Sequence, residues 1–261
     1  MDALEKSQLH SMATPPPTAP LGADAPPAAL LPALKPSPIA PRFSLGQLYL
    51  AWESMKQQGG LYLIYGETYV LELAQKMLSR PLITRTPVVI VDGNNGFNLY
   101  LYTRMAQYFT RRPEEFLRLI KISRAFTCHQ LVSLAERVQK TAEKYHSPLV
   151  VALDPLATFY DENVPLFEAN KLFQQFQHTL RDLARRGLKV LMACPAPAVK
   201  QRPQYLEALK RDAIFRLACE RHHPAELLLR LERPEQFKQT WTLTSTSIAP
   251  LRYSRQLRLF Q

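Results

Sequence analysis

The sequence predicts an α/β domain with a mainly parallel sheet flanked by helices, and three observations carry the prediction. Short apolar runs alternate with helical patterns along most of the chain, the rhythm of strand–helix–strand units. Two of the runs, Val88–Val91 and Leu149–Leu153, are continuously apolar, as strands buried on both faces must be. With 261 residues and 46% hydrophobic content, the chain can bury one good core.

In chain order, residues 1–41 hold 10 of the 22 prolines, interleaved with Ala, Ser and Thr. Proline removes hydrogen-bond donors and fixes φ, so this stretch predicts a disordered tail. The folded domain is expected over residues 42–250, opening with a short helix at Leu45–Trp52. Strands are expected at Leu61–Tyr65, Pro87–Val91, Leu117–Ser123, Leu149–Leu153 and Val190–Ala193. Helices are expected near Val70–Ser79, Leu99–Tyr108, Cys128–Tyr145 and Pro165–Arg186. A helical stretch at Pro203–Glu220 should then lead to strands at Glu226–Leu231 and Thr240–Thr246, giving the sheet a mixed or antiparallel C-terminal edge. Residues 251–261 read as a tail.

The net charge is +11, and its placement says more than its size. From Arg181 to Gln261 there are 16 Lys/Arg against 7 Asp/Glu, so this last third supplies +9. A polyanionic partner fits such asymmetry, nucleic acid first, because neutralising phosphates releases counterions. No apolar stretch is long enough to span a membrane and no leader pattern opens the chain, so an intracellular protein, cytoplasmic or nucleoid-associated, is expected. The three cysteines, Cys128, Cys194 and Cys219, lack CxxC spacing and read as reduced, packed thiols. Cys219 with His222 and His223 lacks the second ligand pair of a structural zinc site. No cofactor is expected.

The first strand carries the most informative feature. Gly60-Leu-Tyr-Leu-Ile-Tyr-Gly66 is followed only by Glu67 and Thr68 before a helical pattern begins. A phosphate loop needs glycine N–H groups to wrap the phosphates, a Lys for the β/γ-phosphates and a Ser/Thr for magnesium. Only Thr68 is present.

Several segments nevertheless resemble, in order, the core of the RecA/RadA recombinases, from about Gly60 to Pro195. Ile90-Val-Asp92-Gly-Asn94-Asn-Gly-Phe97 is similar to that family's second strand and turn, with Asn94 at the position of the catalytic Glu. Arg124-Ala-Phe126-Thr-Cys-His129-Gln130 looks like its Arg-Ala-Phe/Tyr…His-Gln strand-to-helix junction. Leu149-Val-Val-Ala-Leu-Asp154-Pro155 looks like its Walker B strand with the magnesium-directed Asp. The resemblance implies a RecA-like P-loop-NTPase-type core whose nucleotide site survives only as Gly66, Glu67, Asp92, Asn94 and Asp154. Asn94 cannot act as a general base, and without the Lys and glycine loop the charge neutralisation that drives phosphoryl transfer is lost. A pseudo-ATPase is therefore expected, with no catalytic residues.

By analogy with the recombinases' two DNA-binding loops, the stretch Thr158–Pro165 is acidic, whereas Lys200, Arg202, Tyr205, Lys210 and Arg211 form a basic stretch with a Tyr suited to tracking DNA. At the end of the chain, Gln256-Leu257-Arg-Leu259-Phe260 is similar to the pentapeptide that docks bacterial polymerases and repair factors on the sliding clamp. An edge strand is the other reading of the same period-two pattern. The leading expectation is a non-catalytic RecA-like accessory of DNA repair, recombination or replication. Its partners would be DNA and a sliding clamp, recombinase or polymerase; RecA-like proteins of the ImuA type are one similar arrangement. Two alternatives remain open. One is a PIN/NYN-like metal-dependent nuclease using Asp92 and Asp154, with Asp161 added; the other is a structural subunit of a larger assembly.

Overall fold

The computed structural model describes residues 59–197, 202–224 and 226–244. The expected tails, the helix at 45–52, Lys200 and the pentapeptide residues Gln256, Leu257, Leu259 and Phe260 lie outside them.

Eight strands and seven α-helices follow one another as β1 (Gly60–Gly66), α1 (Tyr69–Met77), α2 (Ser79–Ile83), β2 (Val88–Asp92), α3 (Leu99–Phe109), α4 (Pro113–Arg118), β3 (Ile120–Arg124), α5 (Cys128–Tyr145), β4 (Leu149–Leu153), α6 (Leu166–Arg185), β5 (Lys189–Pro195), α7 (Gln204–Asp212), β6 (Phe215–His223), β7 (Glu226–Arg233) and β8 (Gln239–Thr244), counted among the described residues. They form one sheet in the order β3-β2-β4-β5-β1-β6-β7-β8. Pairing is parallel from β3 to β6 and antiparallel between β6, β7 and β8. An α/β domain with a mainly parallel sheet and an antiparallel C-terminal edge is what the strand rhythm predicted.

Chain direction decides which helix lies where. The β1–β2 and β2–β3 connections step one way along the sheet, and the β3–β4, β4–β5 and β5–β6 connections step the other way. Right-handed crossovers then place α1–α4 on one face and α5–α7 on the other. The two cores agree. One joins Val70, Leu73, Tyr102, Met105 and Phe116 to Ile64, Ile90 and Val151, and the other joins Leu131, Val138, Phe173 and Phe176 to Leu63, Val91 and Val150.

Alternate side chains of the central strands feed opposite cores, which explains why both faces had to read as apolar. β2 and β4 are buried at every position. Helix α5 begins where its cap dictates: Thr127 Oγ1 accepts from the Gln130 N–H at 3.2 Å, and Gln130 Oε1 accepts from the Phe126 N–H at 2.8 Å. This reciprocal arrangement is close to a capping box.

Two expectations need correction. The helix expected over Pro203–Glu220 ends at Asp212, and Phe215–His223 is a strand paired between β1 and β7, buried in its first half. Phe215, Leu217 and Cys219 alternate into one core, a period-two signal that the short apolar run concealed. His222 and His223 therefore end a strand, not a helix. The strand expected from Leu117 starts at Ile120, because Pro113 opens a short helix that runs to Arg118.

Candidate functional site

In an open α/β sheet, ligands bind beyond the carboxyl ends of the strands, where neighbouring connections depart in opposite directions. That point here lies between β2, whose chain leaves toward β3, and β4, whose chain leaves toward β5. Parallel register sets Asp92, Leu153 and Arg124 side by side, with Asp154 one residue further. Four of the residues singled out in the sequence, Asp92, Asn94, Asp154 and Arg124, thus converge although up to 62 positions separate them.

Their polar atoms are already engaged with one another. Asp92 is fully buried, and its carboxylate accepts from the Gly96 N–H at 2.8 Å, the Phe97 N–H at 3.2 Å and Arg124 Nε at 3.2 Å. Asn94 Nδ2 donates to Asp154 Oδ2 at 2.9 Å. Burial pushes the Asp154 carboxyl above its usual range; the Asn94 amide and the Ala157 N–H partly offset this, and the nearby Asp92 charge adds to it. Asp154 also holds a left-handed backbone, φ 45°. Gly93 is required between them, since a Cβ there would strike the Asp154 carbonyl where the two loops touch.

A side chain with no expected role locks the rest of this loop. Gln75 is buried on α1; its Nε2 donates to the Leu71 and Gly96 carbonyls, each at 3.0 Å, and its Oε1 accepts from the Asn98 N–H at 2.7 Å. A lone amide among Leu73, Ala74 and Met77 was the available signal.

The turn after β1 is as short as the sequence implied, with Glu67 and Thr68 alone between strand and helix. Gly66 has φ 118°, and a Cβ on it would collide with the Cys219 carbonyl of β6. The Glu67 N–H donates to that same carbonyl at 2.9 Å, and the Ala196 N–H donates to the Gly66 carbonyl at 2.6 Å. The Glu67 carboxylate meets the Arg221 guanidinium at 2.7 Å. The Glu67 N–H is thus spent on β6, and a carboxylate paired with Arg221 stands at the turn, which is unfavourable to a phosphate there.

No family model matches this chain. Its chemistry must be read from these contacts.

A metal-dependent reading needs carboxylates grouped around an open point. Among the described residues, no three His, Cys, Asp or Glu side chains are so grouped. Asp161 is exposed and turned onto the N–H and amide of Asn163, both at 2.9 Å. Asp92 is 0% exposed and its carboxylate already accepts three hydrogen bonds.

The expected basic stretch is largely used internally. The Arg202 guanidinium donates to the carbonyls of Phe159 at 2.6 Å, Asp161 at 3.2 Å and Val164 at 2.8 Å, stitching down the loop after β4. Tyr205 is 1% exposed, stacked on Phe173 with its hydroxyl on Asn170 at 2.8 Å, so in this fold it presents no ring to a base. Lys210 pairs with Glu207 at 2.8 Å and lies over the Tyr65 ring. Arg211 alone of the described members faces solvent without an acid partner.

Proposed function

We propose that this protein is a non-catalytic, RecA-like accessory of DNA repair, recombination or replication, acting through nucleic-acid and protein contacts rather than ATP hydrolysis. One observation carries the reading. Four of the five residues left at the expected nucleotide site are held by internal contacts: Glu67 on Cys219 and Arg221, Asp92 on Gly96, Phe97 and Arg124, and Asn94 on Asp154. Phosphoryl transfer depends on open, preorganised charge at those points. The RecA-like part of the reading is supported by the meeting of the β2, β3 and β4 motifs at one end of the sheet, with β4 two strands from β1.

The nuclease reading draws less support, because its carboxylates are not grouped around a shared point. The test is binding by the purified full chain. Salt-sensitive DNA binding, or capture by a bacterial sliding clamp that vanishes on deleting residues 256–261, is expected. If neither is observed, the accessory reading fails.

A further inference from the structure

The outer side of α3 carries exposed aromatic and basic residues. Tyr100 is 84% exposed, the most exposed large hydrophobic side chain described, and Tyr108 is 43% exposed. Between and beyond them stand Arg104, Gln107 and Arg111, all exposed. Spacings of four, four and three residues from Tyr100 through Arg104 and Tyr108 to Arg111 place them along one side of the helix and just past its end. The opposite side, Tyr102, Met105 and Ala106, is buried in the core. Neither Arg104 nor Arg111 has an acid partner among the described residues.

Charge identifies the occupant. Residues 79–124 hold eight Lys/Arg and three Asp/Glu. Arg124 and Asp92 neutralise each other, leaving seven bases against Glu114 and Glu115, and Glu115 already serves Arg112 at 2.8 Å. A protein partner recognised mainly by apolar contact would not need this excess. Aromatic rings alternating with unpaired guanidinium groups at one-turn spacing match a strand whose bases stack on the rings while its phosphates lie against the arginines. Unpaired bases are required, because a duplex keeps its base faces stacked internally.

We infer that the outer face of α3, with Tyr100, Arg104 and Arg111 as its contacts, is a binding surface for single-stranded nucleic acid. The inference rests on the accessory reading above and moves its nucleic-acid contact from the 200–211 stretch, where Arg202, Tyr205 and Lys210 are engaged, to the opposite face of the sheet.

The test is fluorescence anisotropy of a labelled 30-nucleotide oligo(dT) and of a 30-base-pair duplex with the full chain, at several salt concentrations. The single strand should bind more tightly than the duplex. Tyr100→Ala should weaken it by about 10-fold. Arg104→Gln with Arg111→Gln should flatten the logarithmic salt dependence by about 1.4, two phosphate contacts' worth. Arg137→Gln, on exposed α5 across the sheet, should change affinity by less than about twofold, and circular dichroism should show all variants folded. Wild-type affinity in the α3 variants overturns the inference alone, leaving the accessory reading in place. Tighter binding of the duplex, or clamp binding without any oligonucleotide binding, also overturns it. ATP hydrolysis by the wild type would instead sink the accessory reading itself.

Discussion

The Asp92 lock offers the sharpest stability prediction. Its carboxylate is completely buried and receives three donors, two of them backbone N–H groups that have no other acceptor in the turn. In Asp92→Asn a single oxygen remains, so one N–H loses its partner and the new NH2 group faces donors. An unsatisfied buried donor costs about 1–3 kcal/mol, and a lost hydrogen bond to a charged group adds about 1 kcal/mol here because Arg124 is 42% exposed. The sum is about 2–4 kcal/mol, or a Tm lowered by roughly 5–15 °C for a domain of this size. Arg124→Met leaves both N–H donors in place but removes a cation from a fully buried carboxylate, and should cost about 3 kcal/mol. Urea unfolding of the wild type, both single variants and the double variant would measure these values, with the slope of the transition checked for constancy. The double variant should fall short of the summed losses by about 1 kcal/mol, since the second substitution removes a contact already gone. An Asp92→Asn protein within about 0.5 kcal/mol of wild type, or strict additivity, would refute the assignment of Asp92 as the centre of a closed network.

Two further outcomes follow from neighbouring contacts. Gly66→Ala places a methyl group against the Cys219 carbonyl at a φ that L-residues rarely adopt, so it should cost at least about 3 kcal/mol by thermal unfolding; a loss below about 1 kcal/mol would contradict the close β1–β6 approach. Asp154 titrates above its unfolded range, so its ionisation opposes folding: the native state keeps its proton longer, and that contribution is lost as pH rises through the raised value. Asp154→Asn should therefore stabilise the protein at pH 8 and lose the advantage as pH falls toward 3. A destabilised variant at pH 8 would reverse that sign.

Much of this was legible along the chain, for definable reasons. Strand β4 and helix α5 were placed to the residue, since Leu149–Leu153 is an unbroken apolar run and Thr127 with Gln130 forms a cap. The two-residue turn after β1 was equally plain, because the missing phosphate loop is a matter of which residues are absent. Strand β6 was concealed: its alternation begins directly after α7, and Ala213 continues that helix's apolar pattern. Tyr205 was misplaced by its basic neighbours, though its spacing to Ala208 and Leu209 marks a buried helical face. What sequence could not show is the closure of the site. That Asn94 stands where a Glu was expected is visible in one line; that it donates to Asp154, 60 residues away, depends on β2 and β4 being neighbours in the sheet.

The central claim of the proposed function is that Glu67, Asp92, Asn94 and Asp154, where a RecA-like protein would serve a nucleotide, are engaged by the protein's own contacts. Isothermal titration with Mg-ATP, paired with a phosphate-release assay, tests it most directly. The structure predicts no saturable heat up to about 1 mM, weaker than about 4 kcal/mol of binding, and phosphate release no faster than in buffer. Micromolar binding, or hydrolysis that disappears in Asp154→Asn, would contradict it.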